Sequence, residues 1–175
     1  MNVDDYKMDI FIEKIVARKK TTKDKFSVVG VIFLALILFF ALGFLPDTVQ
    51  TFTPLIIAAI AYGAYYLIKS KNIEYEYAVT NGEIDVDKII SQKRRKRLLS
   101  THCKNFEILA RVKSTHYNDN YAKIQNKIFA GSTMDSDDLY FAVFQHNNKR
   151  TILYFEPSDK MIKAFRRFIP GKMYV

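Results

Sequence analysis

Apolar and polar positions follow three rhythms along this chain, and each predicts a different kind of element. Between Asp4 and Lys20 the apolar side chains fall at Met8, Phe11, Ile12, Ile15 and Val16. That spacing is the i, i+3, i+4, i+7, i+8 series of an amphipathic helix. Asp4 and Asp5 suit its N-terminus, and Arg18, Lys19 and Lys20 suit its C-terminus, because the helix dipole favours those signs there. Residues 1–25 are therefore expected to form an amphipathic helix. It would lie in a membrane interface with its apolar face down, or pack on the soluble part of its own chain.

From Phe26 the periodicity vanishes. Phe26 to Leu45 reads FSVVGVIFLALILFFALGFL, twenty residues without a charge. At about 1.5 Å per residue this spans about 30 Å, the hydrocarbon thickness of a bilayer. A second apolar stretch, Thr51 to Ile68, contains Pro54, Gly63 and three tyrosines. Pro54 falls in its first turn, where a missing N–H costs little. The link from Pro46 to Gln50 is short enough to demand a tight hairpin. The prediction is a transmembrane helical hairpin over 26–70, with spans of about 26–45 and 51–68. A cleaved signal peptide is the competing reading, because Ala41-Leu42-Gly43 looks like a cleavage site. The apolar run is too long for that, and a second span follows at once.

Lys7, Lys14, Arg18, Lys19, Lys20, Lys23 and Lys25 precede the first span, and Lys69 and Lys71 follow the second, whereas the link has no cation. The positive-inside rule then predicts a multi-pass protein of the cell membrane with both termini cytoplasmic. Within the second span Ala59 and Gly63 are four apart, a small-residue face on which another helix can approach closely. Its partner is the protein's own first span or an identical hairpin in a second chain. Neither span holds an ionisable side chain, so pump, transporter and channel readings lose their usual support.

After Ile73 the period becomes two. Tyr75, Tyr77 and Val79 alternate with Glu74, Glu76 and Ala78, and Asn81-Gly82 then predicts a tight hairpin. The return strand Glu83 to Ile89 alternates as well. The run Lys93-Arg94-Arg95-Lys96-Arg97 follows, as a loop leading into Leu98-Leu99. Further apolar runs at 106–112, 127–130, 139–144 and 151–155 predict short strands, the last two joined by a hairpin turn at His146-Asn147-Asn148-Lys149. A final helix opens near Pro157, carries Met161, Ile162, Phe165, Phe168 and Ile169 on one face, and stops at Pro170-Gly171. The loop from Lys113 to Lys123 is long and polar.

The fold class predicted is α+β: a transmembrane hairpin, then residues 71–175 as an antiparallel β-barrel or sandwich capped by a C-terminal helix. Tyr77-Ala78-Val79-Thr80, the alternating Glu83-Ile84-Asp85-Val86 and the basic Lys93 to Arg97 together resemble the PH-like domains of bacterial membrane proteins. The whole chain resembles a family of small Gram-positive membrane proteins with two spans and such a domain. That resemblance implies a cytoplasmic PH-like fold and a binding role, and no reaction.

Composition changes little in this picture. A net charge of +9 agrees with a basic soluble part, and from Lys69 onward 20 basic side chains face 12 acidic ones. One cysteine, Cys103, rules out an internal disulfide. His102 precedes it without a third partner for nucleophilic catalysis. His116 and His146 are scattered, and Asp135-Ser136-Asp137-Asp138 lacks the glycine and closing glutamate of a calcium loop. No enzyme, cofactor or metal is expected. The candidate binding residues are Lys93, Arg94, Arg95, Lys96 and Arg97, facing anionic lipid headgroups of the inner leaflet or a protein partner. Nucleic acid ranks last, because the run has no interleaved aromatics. The same residues could serve solubility alone. The reading is a non-catalytic, membrane-anchored binding or scaffold module, with an accessory subunit of a larger membrane complex as the alternative.

Overall fold

The computed structural model describes residues 10–174. Its elements run β1 (Phe11–Ala17), α1 (Thr22–Ala41), α2 (Asp47–Gln50), α3 (Thr53–Lys69), β2 (Ile73–Thr80), β3 (Glu83–Ile90), β4 (Arg94–His102), β5 (Phe106–Arg111), α4 (Asp119–Ala122), β6 (Asn126–Phe129), β7 (Tyr140–His146), β8 (Lys149–Phe155), α5 (Asp159–Phe168) and β9 (Met173–Tyr174). They divide into two compact units. One is helical and holds 19–73 with 90–93; the other is β-rich and holds the remaining described residues.

The first correction concerns the N-terminal segment. Phe11–Ala17 is a strand, not an amphipathic helix, and it pairs antiparallel with β2 from Phe11↔Thr80 to Ala17↔Glu74. The same residues also satisfy a period of two, with Ile10, Ile12, Lys14 and Val16 alternating against Phe11, Glu13 and Ile15. β-Branched Ile12, Ile15 and Val16 favour the extended form, and a ladder of backbone bonds with β2 outweighs an isolated short helix. The part of the predicted helix before Ile10 lies outside the described residues. The β-rich unit therefore begins before the apolar helices in sequence and resumes after them, so 71–175 alone is not the whole of it.

Two sheets form, ordered β1-β2-β3-β4 and β6-β8-β7-β5-β9. The strands do not close into a barrel. Nor are all pairings antiparallel, because β6 runs parallel to β8 and β9 parallel to β5. Asn81 and Gly82 have φ of 50° and 91°, as the predicted hairpin demands, and Asn147 and Asn148 do the same at 48° and 58°. The turn from β3 to β4 is made at Ser91 and Gln92, also at positive φ, without the Gly, Asn or Asp that such a turn favours.

The core between the sheets is aromatic. Tyr77 meets Phe155 edge-on at 5.8 Å, and Phe165 of α5 meets Phe106 and Phe155, each at 6.3 Å. Met161, Ala164 and Phe165 bury one face of α5, as the capping helix requires. The Tyr77 hydroxyl donates to the Ala130 carbonyl and accepts the Glu156 amide, so burial is compatible with its polar end. Burial also pushes its pKa up.

A second cluster covers the opposite face of the five-stranded sheet. Ile108, Ala110, Phe141, Val143, Ile152 and Tyr154 share that face, and Val112, Tyr117, Tyr121 and Ile124 pack over it. The long polar loop is thus a lid. Its polar residues face outward, and Asn118 caps α4 by accepting the Asn120 and Tyr121 amides.

In the helical unit, Thr21 and Asp24 form a capping box at the start of α1. Thr22–Phe44, 23 residues containing an 18-residue stretch with a mean hydropathy of 2.8, is long and apolar enough to cross a membrane. α3 is not. Its 17 residues reach about 26 Å, short of the usual hydrocarbon thickness, because the helix starts at Thr53 and Pro54 sits in its first turn. The helices pack antiparallel: Phe39 faces Ile57, while Val31 and Leu67 line the far end of the same seam.

Candidate functional site

The basic run is not a loop. Lys93 ends the turn between β3 and β4, and Arg94, Arg95, Lys96 and Arg97 open β4. A strand sends successive side chains to opposite sides, so the five cations have different surroundings. Arg95 reaches Glu76 on β2 at 2.5 Å and Asp87 on β3 at 3.8 Å. Arg97 holds Asp85 at 2.8 Å and donates through Nε to Asp87. Glu76 and Asp87 are buried, while the two guanidinium side chains remain 60% and 51% exposed. The Asp87 hydrogen bond, with Asp85 behind it, holds Arg97 still more firmly protonated.

Lys93, Arg94 and Lys96 are exposed and make no side-chain hydrogen bond or ion pair with a described residue. The structure thus separates the predicted site into a ladder of paired charges and three free cations. The acidic partners Glu76, Asp85 and Asp87 were not foreseen. A signal existed, because Glu74-x-Glu76, Asp85-x-Asp87 and Arg95-x-Arg97 share a period of two on consecutive strands.

Lys93 has a second neighbour. The turn 90–93 packs on the C-terminal end of α3, where the Ser91 hydroxyl donates to the Lys69 carbonyl at 2.8 Å and the Ser91 amide to the Asn72 carbonyl at 2.9 Å. These contacts tie the turn to the residue that ends α3 and to one that follows it. They also gather Lys69, Lys71 and Lys93 at the end of one apolar helix.

Ala59 and Gly63 line one groove between α1 and α3, together with Val31, Leu34, Ala35 and Leu38. A Cβ built on Gly63 would meet nothing within 4 Å. The seam itself is formed by Ala35 with Ile60 and Ala64, which border the grooves on both sides. Gly63 therefore does not mediate the approach of the chain's own α1.

Cys103 is fully buried and its thiol is pushed up to about 11, chiefly by burial. That is the opposite of an activated nucleophile. His102 is occupied: its Nδ1 accepts the Lys104 amide at 3.1 Å. His116 stacks on Tyr174 at 4.1 Å, and among the described residues no group of three His, Cys, Asp or Glu side chains could hold a metal.

A family model described as "Bacterial PH-like domain (DUF6106)" matches residues 8–175. No curated protein and no solved structure matches the chain significantly.

Proposed function

Because the chain belongs to this bacterial PH-like family, we propose that it is a non-catalytic binding or scaffold module, anchored in the cytoplasmic membrane and facing the inner leaflet. The observation that carries the reading is the pairing of β1 with β2. These strands flank the whole apolar segment in sequence yet share one sheet, so both ends of that segment emerge on one side of any bilayer it enters. α1 then cannot cross alone. α3 must return the chain, its short length extended by the α2 turn before it and the lysines Lys69 and Lys71 after it. Lys14, Arg18, Lys19 and Lys20 on one flank and Lys69 and Lys71 on the other favour the cytoplasm for that side by the positive-inside rule.

Lys93, Arg94 and Lys96 are the contacts offered to anionic headgroups. Each contributes about 1 kcal/mol near such a surface, so about 3 kcal/mol is at stake. The test uses the full chain, because a fragment beginning near Asn72 lacks β1 and exposes the edge of β2. In nanodiscs with phosphatidylglycerol, paramagnetic headgroups should broaden the amides of 91–96; in neutral nanodiscs they should not. Replacing Arg94 and Lys96 by Gln should remove the difference. Equal broadening in both discs would make the run a solubility feature. Cysteines in 46–50 should label from outside intact cells and cysteines near Asn147 should not; the reverse would sink the orientation.

The second reading, an accessory subunit of a larger membrane complex, is favoured by the open space at Gly63. Gly63→Leu should leave the monomer's stability in detergent unchanged and weaken assembly with a partner helix. A destabilised monomer would place the glycine inside the chain's own packing after all.

A further inference from the structure

α5 carries its charges in an arrangement that the leaflet reading does not use. Ser158 caps the helix by accepting the Met161 amide at 3.3 Å, and Met161, Ala164 and Phe165 hold it on the core. Lys160, Lys163, Arg166 and Arg167 remain exposed, and none of their side chains makes a hydrogen bond or ion pair with a described residue. Between α5 and the start of β1 lies a groove of about 230 Å³, lined by Ile10, Ile12, Lys160, Lys163, Ala164 and Arg167. Three cations border it and, among the described residues, no acidic side chain does.

The strand beside the groove has a free edge. β1 is the last strand of its sheet and pairs only with β2 among the described residues. Ile10 turns towards β2: its amide donates to the Asn81 side chain at 3.0 Å and its carbonyl accepts the Asn81 amide at 3.0 Å. Antiparallel pairing alternates the direction of these groups, so the N–H and C=O of Phe11, Glu13 and Ile15 point to the open edge. An open edge offers donors and acceptors in turn, which suits another polypeptide backbone. A phosphate group would instead need converging donors, and half of the groove's lining is apolar.

We propose that the β1–α5 groove binds an extended acidic polypeptide segment of a partner protein. The segment adds to the four-stranded sheet beside β1, sets an apolar side chain over Ile12 and Ala164, and brings carboxylates to Lys160, Lys163 and Arg167. This goes beyond lipid contact at β4 and does not rest on it.

The test uses the full chain in non-ionic detergent and a fluorescent octapeptide of alternating Glu and Val as the probe. The probe should bind, and an alternating Lys and Val octapeptide should not. The double variant K163E/R167E should weaken binding about tenfold, the loss of two exposed ion pairs. Methylating alternate backbone nitrogens of the probe should weaken it further in one of the two registers. Arg94→Gln with Lys96→Gln should leave probe binding unchanged, which separates this site from the leaflet contact. Both double variants alter exposed side chains and should melt like the wild type. Absence of probe binding, or binding indifferent to charge reversal or to N-methylation in both registers, overturns the proposal. So does loss of phosphatidylglycerol nanodisc contact in K163E/R167E without any probe binding, which would make the groove a lipid site.

Discussion

On the four-stranded sheet the outward side chains include Glu76, Asp85, Asp87, Arg95 and Arg97, and they satisfy one another. On the five-stranded sheet they are Ile108, Ala110, Phe141, Val143, Ile152 and Tyr154, and a loop folded back on them keeps water out. Each set is held by the chain's own residues, at very different energies. Ion pairs whose cation is half-exposed are worth about 0–1 kcal/mol each, whereas burying one large apolar side chain is worth about 1.5–3 kcal/mol. The half-exposed arginines of the charged face can therefore vary without unfolding the domain. The apolar face cannot, and the polar-looking loop from Lys113 to Lys123 is part of the core.

The sharpest way to break this contrast is Phe141→Ala. Phe141 touches both Tyr117 and Tyr121, at 5.1 and 5.4 Å between ring centres, so its loss opens the seal from beneath. Chemical denaturation in detergent should show a loss of about 3–5 kcal/mol, and the loop should become sensitive to protease. A change below about 1 kcal/mol would mean that the lid stabilises nothing.

Next comes a pH effect where the chain passes from one sheet to the other. Cys103 titrates near 9 when unfolded and at about 11 when folded. A raised folded value means that the unfolded state loses its proton first as pH rises. The stabilisation is complete below about 9 and is lost progressively up to about 11. Cys103→Ala should flatten stability across that window. At neutral pH, alkylation of Cys103 should proceed only as fast as the domain opens; rapid labelling of the folded protein would contradict its burial.

Arg97→Gln should cost less, about 1 kcal/mol, because Arg95 still reaches Asp87. The difference should shrink in concentrated salt, and persistence there would show that the pair is shielded from solvent. The smallest effect is expected for Tyr117→Phe, which removes a hydroxyl contact with Tyr154 at 2.9 Å but keeps the ring. About 0.5 kcal/mol is expected, and a loss comparable to Phe141→Ala would shift the lid's stability from packing to hydrogen bonding.

Much of this architecture is legible in the residues. Asn81-Gly82 and Asn147-Asn148 announce their hairpins because only such residues tolerate positive φ cheaply, and Met161, Ala164 and Phe165 lie on one helical face. Ser91-Gln92 gives no such notice, because its turn is held by the end of α3, which is distant in sequence. Seven residues such as Phe11–Ala17 can be read at either period, and the decision lies with a partner strand far along the chain. The five consecutive cations look like one patch until neighbouring strands supply acids to two of them. Tyr117 and Tyr121 are one helical turn apart, a hint of the lid that the surrounding Asn and Asp residues obscure.

The pairing of β1 with β2 also fixes an order of events during synthesis. The ribosome delivers β1 first, then all of the apolar segment, and only then the strand that completes it. At about 5–20 residues per second, β1 waits for several seconds with both edges unmatched. On the membrane-anchored reading proposed above, a chain whose α1 inserted without the return of α3 would leave β1 on one side of the bilayer and β2 on the other. The sheet would then never complete, and the edge of β2 would stay bare. On that reading, closure of the first two strands would record that insertion had been carried out correctly.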